Sequence, residues 1–178
     1  MKKIFVGLTV LAVCLFAGKA AFAALETDTV VTSTATVDES VEWASATYTI
    51  AAADFTAHIT GVGQSITAAE TLILYYNVDV TLTPTASVSG DEVLTSGTSD
   101  TLTTSYKLTS ADGDFQNADA DWVASATFIA QSYNITHTNN DGVINFDFHI
   151  KGASDVAEAA DAGNYESVIK ITAAKTAI

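Results

Sequence analysis

Five oxygen-bearing side chains follow one another in a short stretch: Asp112, Asp114, Asn117, Asp119 and Asp121. Clustered loop carboxylates are what Ca²⁺ takes, in shells of about 6–8 oxygens. The EF-hand register fails here, because Gly113 falls between the first two acids. A solvated turn explains the stretch as well and is the preferred reading, with these acids kept as a weak metal candidate. His58, His137 and His149 are scattered, and only His137 and His149 could meet, across a hairpin. One such pair is a poor metal signal. No serine lies in a Gly-x-Ser-x-Gly elbow, and Gly61-Val62-Gly63 reads as a bend instead of a phosphate-cradling loop. The adjacent acids Asp38-Glu39 and Asp91-Glu92 carry no acid/base argument unless a cleft opposes them. Trp43 and Trp122 could offer ring faces to sugars, although a lone tryptophan in a sandwich strand is more often core. No reaction is specified, no cofactor is implied, and an enzyme is not expected.

The elements that must carry these residues are strands. In 142–152, Ile144, Phe146, Phe148 and Ile150 fall on one face, with Asn145, Asp147, His149 and Lys151 on the other. That is a half-buried strand. The run 71–85 repeats the alternation, with Leu72, Leu74, Tyr76, Val78, Val80 and Leu82 inward. Near the end, Tyr165, Ile169 and Ile171 alternate with polar neighbours. Further candidates are 29–37, 46–51, 57–61, 101–109 and 122–138, the last long enough to bend or to be two strands. Asp141-Gly142, between alternating runs, is the strongest hairpin signal. Residues 153–162 fit a short helix or a loop. About seven or eight short strands with regular turn signals predict an all-β sandwich. Neither an internal repeat nor a second domain is visible.

The first residues point to export. Lys2 and Lys3 precede an apolar run over 4–18, and Ala21-Phe22-Ala23 suits a signal peptidase, predicting cleavage before Ala24. The run is shorter than the roughly 20 residues of a spanning helix. Cys14 sits mid-run behind Val13, the wrong setting for a lipid-modified cysteine. Cleavage leaves 155 of the 178 residues: a segment 24–39 and a sandwich domain 40–178. It also removes the only cysteine, so no disulfide can form. Lys107, Lys151, Lys170 and Lys175 then face 21 acids with no arginine, a formal charge of −17. Such a surface repels nucleic acid and anionic lipid, and insertion of the mature chain in a membrane is not expected.

The two ends carry the functional signal. Residues 29–37 read TVVTSTATV, uncharged and β-branched or small throughout, with Val31, Ser33, Ala35 and Val37 on one face. This looks built to lie in a groove as a donor strand. The strand holding Tyr165, Ile169 and Ile171 is the candidate acceptor edge. If the sandwich is one strand short, that edge is an aggregation hazard unless a neighbouring subunit fills it by β-augmentation.

Val31-Thr32-Ser33-Thr34-Ala35-Thr36-Val37-Asp38 resembles the N-terminal strand of the colonisation-factor major pilins, the alpha class of chaperone–usher fimbriae. Ala162-Gly163-Asn164-Tyr165 and the alternating strand after it are similar to that family's C-terminal strand. Glu39 departs from the proline usual after the aspartate, and Ser33 is smaller than its counterpart. The resemblance implies an incomplete immunoglobulin-like sandwich polymerising head to tail with copies of itself. It also implies a periplasmic chaperone, an outer-membrane usher and a cell-surface fimbria. Two other readings stay open: a monomeric secreted surface or biofilm-matrix sandwich, and a carbohydrate- or calcium-binding module.

Overall fold

The computed structural model describes residues 34–97, 100–138 and 142–177. The expected signal peptide, Val31 and Ser33 lie outside them. The compact unit begins at Val37, and it is an all-β sandwich.

Its larger sheet is ordered β1-β2-β8-β5-β6, from β1 (Val41–Trp43), β2 (Ser65–Tyr76), β8 (Val143–Ala153), β5 (Thr103–Thr109) and β6 (Val123–Ala124). The smaller is β10-β3-β7, from β10 (Ile169–Lys175), β3 (Val80–Ala86) and β7 (Tyr133–Ile135). A third pair joins β4 (Thr95–Ser96) to β9 (Tyr165–Glu166). All pairings are antiparallel. The spine is β2 on β8, in register from Ser65↔Ala153 to Tyr75↔Val143. Alternation explains the core directly: Leu72, Leu74 and Tyr76 of β2 and Ile144, Phe146 and Ile150 of β8 are buried. They meet Val80, Leu82 and Pro84 of β3 and Tyr133 and Ile135 of β7. Pro84, which lacks a donor, lies beyond the β3 residues that β7 pairs, Val80 to Leu82.

Three expectations about the elements need correction. The run 71–85 is two strands in different sheets, divided at Asn77. The Asn77 side chain accepts from Ser40 N at 2.7 Å and donates to Asp38 O at 2.9 Å, fixing the corner. The corner adds three residues, so Tyr76 and Val80 both remain inward and the alternation continues through the break. Second, β7 and β8 do not form a hairpin: the connection holding Gly142 carries the chain from one sheet to the other. Asp141 lies outside the described residues. The stretch 122–138 is two strands, as its length allowed: β6 and β7, with one helical turn α1 (Ser125–Phe128) between them. Third, 46–51 and 57–61 are not strands. Tyr48, Ile50, Phe55 and Ile59 pack on the core, and single bonds such as Thr56 N to Thr67 O (2.9 Å) tie this segment to β2. Residues 154–162 are loop.

Candidate functional site

β10 is the outer strand of the smaller sheet. It pairs with β3 over its whole length, from Ile169↔Ala86 to Lys175↔Val80. Among the described residues, no strand is hydrogen-bonded to its other side, although β1 of the larger sheet approaches it. Its inward residues Ile169, Ile171 and Ala173 pack on the core yet are only partly buried. On β3 next to it, Val80 and Leu82 have no exposed surface. The apolar cover therefore thins at this edge. Lys175 and Glu39 pair at 2.6 Å at one end of β10, but both are well exposed, and such a pair contributes at most about 1 kcal/mol.

The expected donor and acceptor residues are placed unevenly. Of the donor set, Ala35 and Val37 are described; both are exposed, Val37 by 82%, and neither is in a strand. Of the acceptor set, Ile169 and Ile171 share the inner face of β10. Tyr165 belongs to β9, opposite Ser96, with Ser167 and Val168 interrupting the run. Its hydroxyl is shared between the Asp100 carboxylate and Asp161 O, four residues back at 2.8 Å, the geometry of a tyrosine corner. That hydroxyl, with the N–H of Asp161, holds Asp100 below its usual carboxylate range. Desolvation and the neighbouring Asp100 charge push Tyr165 up to about 12.

The acidic stretch has a structural task. Asp114 is buried and accepts from Tyr76 OH of β2 at 3.0 Å and from Thr138 Oγ1 at 2.6 Å. Asp119 is 9% exposed; its Oδ2 accepts from Leu108 N of β5 and from Tyr133 OH of β7, each at 2.8 Å. Asp119 N donates to Leu108 O at 3.0 Å. The two acids therefore clamp one sheet to the other. Asp112 only caps the turn, accepting from Asp114 N at 3.0 Å, and Asp121 is exposed. Among the described residues, no group of three or more histidine, cysteine or acidic side chains is placed to hold a metal. His137 packs edge-on against Tyr76 and His149 against Trp122, so the two histidines do not meet. Trp43 packs on Phe146 at the core, while Trp122 stays 36% exposed.

The buried tyrosines predict the alkaline limit of the fold. Burial pushes Tyr106 up to about 12, and burial followed by the Asp119 carboxylate pushes Tyr133 well above its ordinary range. A raised folded value means stability is fully present below the unfolded pKa near 10 and declines as pH rises above it. Tyr106 alone should account for about 2 kcal/mol by pH 12. Melts followed together with phenolate absorbance should show cooperative ionisation coincident with unfolding, and Tyr106→Phe should flatten the decline. Smooth, non-cooperative titration of every tyrosine would refute this.

Sequence reasoning missed the interior role of Asp114 and Asp119. A signal was present: Tyr76 and Tyr133 sit at inward positions, and a buried hydroxyl needs an acceptor. No family model matches the chain, and no curated protein matches it. Among the described residues no helix is long and apolar enough to cross a membrane.

Proposed function

We propose that this chain is an exported structural subunit of a fimbria-like extracellular fibre, joined head to tail by donated N-terminal strands. The single observation that carries the reading is β10: a seven-residue edge strand with a partly buried apolar inner face and, among the described residues, no strand hydrogen-bonded to its outer side. Residues 34–37, the described part of the expected donor, are exposed and outside any strand, as a segment meant for another molecule should be. Burying a valine fully contributes roughly 1.5–3 kcal/mol, and each edge hydrogen bond about 0.5–1.5 kcal/mol net. A junction led by Val31 and Val37 thus has several kcal/mol to set against the entropy of ordering the tail. A head-to-tail joint whose rotation does not close into a ring gives filaments. The resemblance adds a chaperone that shields the edge and an usher that assembles the fibre.

Three forms test this: the mature chain, the same chain lacking 24–36, and that shortened chain carrying 29–37 on a flexible linker after Ile178. The mature chain should form multimers. The shortened chain should stay monomeric and bind a 29–37 peptide, and the linked form should be a monomer with a higher Tm. Val31→Asp in the peptide should weaken binding more than tenfold, because the groove would then bury an unpaired charge. A mature chain that stays monomeric at every concentration, beside a shortened chain indifferent to the peptide, would leave a self-contained surface sandwich instead.

A further inference from the structure

The outer face of the larger sheet gathers an unusual set of side chains. The mature chain has four lysines against 21 acids, yet two of them stand here as near neighbours. Lys107 is opposite His149, and Lys151 is opposite Ser105, on the adjacent strands β5 and β8. Among the described residues neither lysine pairs with a carboxylate. Lys107 Nζ donates to Ala120 O at 2.8 Å, and Lys151 Nζ lies 5.0 Å from the centre of the Trp122 ring. An ammonium carries three donors, so both keep hydrogen-bonding capacity for a ligand. Trp122 lies edge to face with His149, centroids 6.3 Å apart, and retains 36% of its surface to solvent. Ser105 and Thr67 flank Lys151 with small hydroxyl groups.

We propose that this face binds a carboxylate-bearing pyranose at the end of a glycan. The lysines recognise the carboxylate, the open part of the Trp122 ring takes the apolar face of the sugar, and the flanking hydroxyls meet its hydroxyl groups. Charge complementarity selects an anion. The size of that anion follows from the rest of the molecule. Screening confines the field of two lysines to roughly 8 Å at physiological salt, whereas the strongly acidic surface around them repels anything carrying many negative charges. A single acidic sugar feels the local cations; a polyanion, or a second copy of this equally acidic chain, meets the repulsion as well. The site lies on a different sheet from β10, so it can succeed or fail independently of strand donation.

Titration of the mature chain with a glucuronate-capped disaccharide and with its glucose-capped counterpart decides the matter, read by calorimetry. The acidic sugar should bind at least about tenfold more tightly, the equivalent of one charge-assisted contact. Its advantage should shrink as salt rises. Lys151→Gln and Lys107→Gln should each remove about tenfold of that affinity with unchanged Tm, and Trp122→Ala should weaken both sugars. Equal binding of the two sugars, or no binding of either, overturns the proposal on the unaltered chain alone. So does a concentration-dependent self-association abolished by Lys151→Gln, which would give the patch to a second copy.

Discussion

Gly142→Ala is expected to cost the fold about 2–4 kcal/mol, lowering Tm by roughly 10 °C. Two effects combine at this position. The backbone has φ +77°, where an L side chain strains against its own carbonyl. A Cβ there would also stand 2.8 Å from the carbonyl oxygen of Tyr76, a backbone atom that cannot turn aside. Tyr76 N donates to Gly142 O at 2.9 Å, so any retreat of one strand stretches the bond that begins the β2–β8 ladder. Gly90 separates the two effects: it has φ +96° with nothing within 4 Å of its would-be Cβ. Gly90→Ala should therefore show the conformational part alone, about 1 kcal/mol. Urea denaturation of both variants makes the comparison. Equal losses would mean that the Tyr76 strand yields freely, and the crossing between sheets would not depend on a glycine.

That crossing also shows where reading the sequence stops. The strand that begins at Val143 was legible as half-buried, because its alternation is a local signal. Which sheet each flanking strand joins is a matter of distant partners, and β7 and β8 go to different ones. The corner at Asn77 was hidden by its own length: three residues between Tyr76 and Val80 restore the inward phase, so alternation alone cannot reveal it. Residues 46–51 and 57–61 read as strands from their composition. They run beside β2 through isolated bonds because their apolar residues fill the sandwich flank without a regular ladder. At the candidate edge, the apolar alternation of Ile169 and Ile171 was plain. Its thin cover was not, because exposure depends on what the opposite sheet lacks. The acids were the hardest to read. Spacing alone gives Asp112, Asp114, Asp119 and Asp121 equal standing, and only packing turns the middle pair inward.

Asp119→Ala should be as damaging as any loss in the core, about 3 kcal/mol or more. β6 pairs with β5 only at Ser105 and Tyr106, so Leu108 lies past its end. Asp119 takes over there as a one-residue substitute strand, giving its N–H to Leu108 O and accepting Leu108 N–H on its carboxylate. The same oxygen receives Tyr133 OH from the other sheet. Alanine would keep the backbone half and strand the rest. Leu108 N–H, on a residue with no exposed surface, would lose its acceptor. Tyr133 could fall back only on Gln131 Oε1, 2.9 Å away. Asp119→Asn retains a neutral oxygen in the same place and should cost about half as much, since hydrogen bonds to charged groups are roughly twice as strong as neutral ones. Thermal melts of the two variants, with and without Ca²⁺, distinguish a clamp from a cation site. The clamp predicts graded losses independent of the ion. A Ca²⁺-dependent rise in Tm that vanishes in both variants would instead make the loop a binding site, with the tyrosine hydroxyl merely filling the space the ion leaves.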